Sequence, residues 1–537
     1  MSCPYRAFLA EMKPYHGEST LEHRRAVDGW CRQLAARGWG RLGLPPEQGG
    51  DPEQLLQLVR ALLEFDRSLF VKFGIHVGLI QGCLARLGSQ RHLPWLERTW
   101  NFEQLGCFAM TESDHGSNVR GLETRATYRP ELQQFEIHTP HPGARKDYIG
   151  GALSAAFAIV FAQLESHGVH AFLVPLRDEQ GNLLAGIEAQ DCGRKLGLNG
   201  VDNGRLSFER VRIPRENLLN RYGEVLVDGR YTSPIANPTR RFFTMVSNLV
   251  DGRLSLSAAS HDLSQMALNT ALGYARQRRQ FGPPGQPEVR LIEYQSHQAR
   301  LLPRLAITHA LHHGVARFVE LYRQQSPELE TFAAGLKAYS TWELQETLRL
   351  CRDCCGGWGY LWESGLPALK ADGDIFTTFE GDNTVLGFLV ARNRLKELRG
   401  CRQLLRSLPW PARLSGRLDD PAVLLRALRH RELRLGFSLA RRLGQRLRGG
   451  LDPLTALADC QVHALAFSRA YVERALLESC PPDDPRSLLF GLEALRADRG
   501  WFLEQGYLSR AQSRQLRQRH LEGCRQLALQ EFFTASP

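Results

Sequence analysis

The chain opens with apolar residues recurring three and four positions apart. In ESTLEHRRAVDGWCRQLAARGW and PEQLLQLVRALLEFDRSLFVKFGIHVGLIQGCLARLG that spacing draws one apolar stripe along a helix, and proline and glycine mark the stops. A mostly helical segment is expected over residues 1–104. The period then changes. QFEIHTP, AAFAIVFAQL, HAFLVPL and GRLSFERVRI are short β-prone runs separated by Gly, Pro, Asn and Asp, which predicts a compact β domain over 105–228. The long helices a doubly wound sheet needs between its strands are missing, so that architecture is excluded. From about residue 240 the helical period returns in longer stretches, LVDGRLSLSAASHDLSQMALNTALGYARQRRQFG, EYQSHQARLLPRLAITHALHHGVARFVELYRQ and TFAAGLKAYSTWELQETLRLCRDCCGG. These predict a helical bundle over 229–400, with a further helix over about 383–399. Residues 401–537 read as an additional helical domain interrupted at RGGLDPL and SCPPDDP. The expected class is α+β.

Composition narrows the setting. A chain of 537 residues with 43% hydrophobic and 23% charged residues is long enough for several buried cores. Apolar runs such as LSAAFAIVFA are too short to cross a bilayer, and MSCPYRAFLAEMKPYHGE lacks the apolar core of a secretory signal, so no stable membrane insertion is expected. The twelve cysteines are spread along the chain. Cys351 and Cys354 form one C-x-x-C with no second pair, which argues for reduced, buried thiols and against a metal site. FTASP is not the S-K-L address, and the arginine-rich, lysine-poor composition suggests a bacterial cytoplasm. Net charge is +11, and residues 401–450 hold twelve arginines against Asp419, Asp420 and Glu432. Leucine and arginine alternate there at helical spacing without aromatic interleaving, which predicts a basic helical face and no nucleic-acid surface.

Several stretches carry chemistry. DIFTTFEGDN places Glu380 between Phe379 and Gly381; flanked by Phe376, Phe379 and Val385, its carboxylate is expected to be partly desolvated, a stronger proton acceptor than a surface glutamate. Gly381 permits close approach of a backbone or flat ligand. In TESDHGSNVRG, Thr111 offers a hydroxyl, and Gly116, Ser117, Asn118 and Gly121 form a turn able to present amides to a cofactor or phosphate. Asp114 and His115 stand together as an acid–base pair in sequence. Tyr148 precedes Gly150 and Gly151 in KDYIGGAL and offers an aromatic face to a flat heterocycle. RRQFG ends a helical pattern with Arg279, a bidentate phosphate donor. Alone, each reads equally well as a surface turn, a charged helix end or a solvated ion pair.

Taken together, CFAMTESDHGSNVRGLET, DCGRKLGLNGVDNGRLSFERVRIPRENLL, YARQRRQFGP, CGGWGY and TFEGDNTVL resemble the acyl-CoA oxidase branch of the acyl-CoA dehydrogenase superfamily, closely over residues 100–400. The resemblance implies an FAD-dependent acyl-CoA oxidase that converts a saturated acyl-CoA to the trans-2-enoyl-CoA, with Glu380 as the base. It places Thr111 at the flavin edge, Ser117 where cofactor and substrate meet, and Tyr148, Gly150, Gly151 and Thr384 against the cofactor. The family usually bears tryptophan where Tyr148 stands. Arg279, Gln280, Phe281, Gly356 and Gly357 are implied to reach the FAD of a second subunit, which makes a homodimer with shared sites the expected assembly. Asp251 is implied near the pantetheine arm of the substrate, Arg253 near the catalytic carboxylate, and Gly381 at the substrate. His115 belongs to an H-G feature of the oxidase branch. The electron acceptor is oxygen, giving hydrogen peroxide, or electron-transfer flavoprotein; a carrier-protein thioester stands as the alternative substrate. If Glu380 is not the base, Glu112 is the nearest other carboxylate.

Overall fold

The computed structural model describes residues 4–247, 250–400 and 413–532. It divides into two compact units, Met1–Ser255 and Leu256–Pro537. In the first unit the amino-terminal pattern forms helices Thr20–Ala36, Pro52–Phe65 and Arg67–Gly74. Asp51 and Asp66 cap the last two, their carboxylates accepting from first-turn amides. Helix Arg67–Gly74 runs through a π-helical turn, Ile75–Ile80, into Gln81–Leu87. By length and composition the stretch Arg67–Leu87 is apolar enough to cross a membrane, contrary to the expectation of short runs alone; 72% of its apolar window is buried in the fold, as in a core helix.

The β region forms two main sheets and a small two-stranded one, Glu224–Val225 against Tyr231–Thr232. Strands β1 (Gly106–Ala109), β2 (Arg125–Arg129), β3 (Gln134–His138), β5 (Phe157–Leu164), β6 (Val169–Pro175) and β9 (Val211–Pro214) make the larger. Strands β4 (Lys146–Gly150), β7 (Ile187–Asp191) and β8 (Asn203–Phe208) make an antiparallel second sheet. GRLSFERVRI, expected as one segment, is the two strands β8 and β9, because Arg210 takes a left-handed φ of 49° between them. Strand β5 is buried on both faces, which explains its unbroken apolar run. Ala158, Val160 and Ala162 enter a core with Phe135, Phe172 and Phe208. Phe157, Ile159 and Phe161 enter another with Leu84, Leu87 and Leu96. Strand β5 also fixes β1 by parallel pairing, Gly106 opposite Phe157 through Ala109 opposite Val160, and β1 leads straight into Thr111.

In the second unit helix Leu329–Cys354 packs against Gln295–Arg323 and Asn383–Gly400. Helices Pro421–Arg448, Gln461–Ser479, Pro485–Ala497 and Arg510–Phe532 extend the bundle. The basic face expected over 401–450 is only partly exposed. Arg431 is buried, paired with Glu473 and 2.7 Å from Asp498; Arg429 pairs with Glu478 and Arg446 with Asp459. Helical spacing turns one arginine of the run inward, where carboxylates from neighbouring elements neutralise it. Arg402 and Arg406 of that run lie outside the described residues.

Candidate active site

In the first unit, strand β1 delivers Thr111 beside β4. Thr111 Oγ1 donates to the carbonyl of Asp147 at 2.8 Å, and the Asp147 amide donates back to the carbonyl of Thr111 at 3.1 Å. The Asp147 carboxylate accepts from Ser113 Oγ at 2.9 Å and from Arg205 Nε at 3.1 Å. These bonds fix the loop to the strand. Tyr148 has a left-handed φ of 63° and a side chain 65% exposed, so an aromatic face stands open beside Thr111's strand neighbour. At Gly150 a Cβ would meet Ile75 Cδ1 at 2.6 Å, and Gly151 has φ of 85°, so neither position accepts an ordinary side chain without a shift. Ser117 lies exposed in the bend that follows. An open ring, a fixed hydroxyl and a paired glycine turn fit a flat heterocyclic cofactor such as FAD.

Beneath this surface lies a pair whose partnership went unnoticed in the sequence. Glu112 and Lys146 are fully buried, 3.0 Å apart. The Glu112 carboxylate also accepts from the amides of Glu123 and Thr124, at 2.7 and 2.8 Å, and from Thr124 Oγ1 at 2.6 Å. Burial pushes the Glu112 carboxyl upward, but Lys146 and the Thr124 and Glu123 donors more than reverse this and hold it below the usual range. Glu112 is thereby an enclosed structural carboxylate, and the alternative base suggested by sequence is removed. His115, read from the sequence as part of an H-G feature rather than as a proton carrier, brings Nδ1 to 3.3 Å from Glu112. Asp251 forms an ion pair with Arg86 at 2.7 Å, and Arg253 follows it in the first turn of helix Asp251–Gln277, half-buried.

In the second unit, Glu380 sits in a turn of unusual backbone. Its φ is 55° and that of Gly381 is 103°. A left-handed non-glycine residue costs energy that its surroundings must supply. The supply is visible: the ammonium of buried Lys337 donates to the carbonyl of Gly381 at 2.7 Å, to Asn383 Oδ1 at 3.0 Å and to the carbonyl of Thr377 at 3.3 Å. Asn383 is held in turn by Thr341 Oγ1 and the carbonyl of Ala338. Asp382 caps the next helix, accepting from the amides of Thr384 and Val385. Glu380 itself is half-buried. Of the three apolar neighbours expected to desolvate it, Phe376 is buried and Phe379 half-buried, but Val385 is 42% exposed because its place in the helix's first turn points it outward.

The helix ends at RRQFG as expected, but the rest of the segment is not a frayed helix terminus. The helix stops at Gln277, and Arg279–Gln280 pairs with Val289–Arg290 as a small hairpin around GPPG. Proline and glycine in that loop favour the reversal over a further helical turn. Arg279 donates to the carbonyl of Glu288 at 2.7 Å. Phe281 has φ of 51° and a side chain 77% exposed, an aromatic ring presented by a strained tip. At Gly356 and Gly357 a Cβ would meet nothing within 4 Å, and Gly356 has φ of 55°, so backbone is open to an incoming ligand there. Trp358 stacks on Tyr274 with centroids 5.2 Å apart beside these glycines.

Residues 246–395 match the family described as acyl-CoA oxidase, C-alpha1 domain, and residues 107–211 match the acyl-CoA dehydrogenase middle domain. Acyl-coenzyme A oxidase 2, peroxisomal, of Arabidopsis thaliana is 39% identical over 84% of this chain and 72% of its own length. The crystal structure of acyl-CoA oxidase3 from Yarrowia lipolytica superposes with a TM-score of 0.86, covering 98% of this chain and 81% of that one at 29% identity. That of acyl-CoA oxidase-1 in Caenorhabditis elegans, complexed with FAD and ATP, gives 0.81 at 26% identity, covering 98% of this chain and 84% of that one. The fold is thus the α+β fold of the acyl-CoA dehydrogenases, and the chain belongs to the acyl-CoA oxidase family, the oxidase branch of that superfamily. It is an oxidoreductase of the acyl-CoA oxidase type. The bacterial cytoplasm expected from composition is overturned, since the plant relative is peroxisomal and eukaryotic; an arginine-rich composition carries no compartment address.

Proposed function

We propose that Glu380 is the base that removes the α proton of a saturated acyl-CoA, and that the product is the trans-2-enoyl-CoA. FAD-dependent oxidation of acyl-CoA is the activity of the family to which the chain belongs. The observation that carries the assignment of the base is the left-handed Glu380, in a turn whose Gly381 carbonyl and Asn383 side chain are held by buried Lys337. When bound, FAD supplies the two-electron acceptor for the hydride leaving the β carbon and passes the electrons to oxygen, giving hydrogen peroxide. Thr111, Ser117, Tyr148, Gly150, Gly151 and Thr384 hold the cofactor from one chain. Arg279, Gln280, Phe281, Gly356 and Gly357 hold it from a second copy in a homodimer, which accounts for an exposed phenylalanine on a strained hairpin and for glycines facing open space. Ser117, Asp251, Arg253 and Gly381 face the substrate. The enzyme acts without membrane insertion or nucleic acid.

Glu380→Gln tests this reading. The variant keeps the shape of the side chain and loses the proton-accepting carboxylate. A positioned base contributes a factor of about 10² to 10⁴, so flavin reduction by a good acyl-CoA substrate should fall by at least the upper figure while FAD remains bound. A variant that retains FAD and reduces it within about tenfold of the parent rate removes Glu380 from the role.

A further inference from the structure

Four histidines gather in one recess of the second unit, and none of them has a part in acyl-CoA oxidation as assigned above. The recess, of about 500 Å³, is lined by His309, His312 and His313 of helix Gln295–Arg323 and by His261 of helix Asp251–Gln277. Asp484 and Arg486, at the start of helix Pro485–Ala497, close it. His309 and His313 stand four positions apart, so both rings rise from one face of their helix, with centroids 4.6 Å apart. His312 lies 5.3 Å from His313, and His261 lies 5.4 Å from His312.

The spacings are those of metal ligands rather than of hydrogen-bonded partners. His309 Nε2 stands 3.4 Å from Ser487 Oγ and 3.6 Å from Asp484 Oδ2, both longer than the common hydrogen-bond length of about 2.9 Å. Two ligand atoms on one tetrahedral zinc ion, with bonds of about 2.0–2.1 Å, stand about 3.3–3.5 Å from each other. Two imidazoles bound to that ion have centroids about 4.5–5.5 Å apart. The His309–Asp484 and His309–His313 separations lie close to these figures, and His309 to His313 reads H-x-x-x-H, a spacing that zinc sites use. Asp484 is already fixed in place. It caps its helix, accepting from the Arg486 amide at 2.8 Å, and pairs with the Arg486 guanidinium at 2.7 Å, which neutralises the one cation lining the recess. Among the described residues no three donors yet converge into a shell. The open recess gives the His313 ring room to turn between rotamers and complete one.

We propose that this recess binds one zinc ion, with His309, His313 and Asp484 as ligands and water in the fourth position. Imidazole nitrogen with a carboxylate suits zinc, whereas magnesium and calcium take oxygen ligands. The ion ties helix Gln295–Arg323 of the bundle to the start of helix Pro485–Ala497 in the carboxyl-terminal region, so its role is a cross-link within the second unit. None of its ligands belongs to the residues assigned to the base, the cofactor or the substrate.

The test uses the FAD-loaded full-length enzyme, treated with a chelator and then freed of it. Zinc chloride is titrated by calorimetry in a non-coordinating buffer near neutral pH, where imidazole is free to ligate. The parent is expected to bind one ion per chain with a Kd tighter than about 10 μM, and an H309A/H313A variant at least about tenfold more weakly. H313Q alone, which removes one ligand, should also bind at least about tenfold more weakly, and it decides the matter if the double variant does not fold. H16A, a change at an exposed histidine outside the recess, should bind as the parent does. Zinc should raise the melting temperature of the parent by linkage and leave that of H309A/H313A unchanged. The proposal is overturned if the parent binds zinc with a Kd weaker than about 10 μM, or if the recess variants bind as tightly as the parent and so place the ion elsewhere.

Discussion

Replacing Lys337 by methionine asks whether the turn that carries Glu380 is held in place or merely falls there. The buried ammonium donates to the Gly381 carbonyl at 2.7 Å, to Asn383 Oδ1 at 3.0 Å and to the Thr377 carbonyl at 3.3 Å. Methionine keeps most of the length and volume but donates nothing. A buried acceptor stripped of its donor costs about 1–3 kcal/mol, so the two shorter contacts together represent about 2–6 kcal/mol of local stabilisation. Removing a buried cation returns part of that, and a net loss of about 3 kcal/mol is expected. The strain at Glu380, with φ of 55°, is of similar size, about 1–3 kcal/mol. Without Lys337 the turn should therefore relax, and a carboxylate displaced by about 1 Å loses on the order of 10² in rate.

The assay is anaerobic single-turnover flavin reduction on FAD-loaded enzyme, with the melting temperature measured in parallel. K337M should reduce its flavin about 10²-fold more slowly, with little change in the acyl-CoA concentration that half-saturates the rate. Lys337→Arg should fail in the same way, because a planar fork cannot direct donors at acceptors arranged around a point charge. A K337M enzyme that retains FAD and reduces it within about threefold of the parent rate would refute the argument.

Three further outcomes are expected. Lys146→Met leaves the Glu112 carboxylate buried without its counter-charge, and should lower unfolding stability by about 3–5 kcal/mol in a urea titration. His76 is buried and accepts from the Gly106 amide at Nδ1, which holds it neutral with Nε2–H donating to the Thr99 carbonyl. Burial lowers its pKa to about 4, so the unfolded chain takes up a proton before the folded one as pH falls from 6.5 toward 4, and stability is lost across that window. The loss is about 2 kcal/mol by pH 5, and His76→Gln, compared by thermal unfolding at pH 7 and pH 5, should show a correspondingly smaller decrease than the parent. Arg279→Ala should release FAD more readily and shift sedimentation toward monomer; a variant that stays dimeric with full FAD affinity contradicts the shared site.

Much of the architecture was legible because its period is local. Helix Asn383–Gly400 begins where the pattern after Glu380 begins, and the unbroken run of β5 is what a strand buried on both faces must have. The Glu380 turn was legible too, as an acid before glycine at a break in the apolar pattern. Its support was not. Lys337 stands 46 positions upstream of Asn383 in an otherwise ordinary helical stretch, and only folding brings the two together. The same holds for Glu112 and Lys146, 34 positions apart. The helix end at RRQFG was legible, but the hairpin that follows was not, because GPPG beyond it decides that conformation. The arginine run misled because alternation at helical spacing does not say which residues turn inward; Arg431 does.

The scarce lysines offered a signal of that missing half. The chain has seven among 68 basic residues, so surface positive charge is written almost entirely as arginine. Lys13, Lys370 and Lys396 are exposed. The other four are each committed inside the fold. Lys72 is buried against Asp28 and Asp202; Lys146 joins Glu112 to the carbonyls of Met110 and Phe161; Lys195 donates to the Val201 carbonyl and Asn203; Lys337 gathers the Glu380 turn. In the last three the ammonium donates to one or more backbone carbonyls. A compact cation with three rotatable donors suits acceptors converging on one point, whereas a planar guanidinium suits acceptors spread around its fork, as at Arg241 and Arg177. Where arginine is the default, a lysine committed inside the fold therefore marks a point at which geometry, as well as charge, constrains the choice. By that reasoning Lys146 and Lys337 mark the strand end beside Thr111 and the turn that carries Glu380 as the two places where the backbone is held most deliberately.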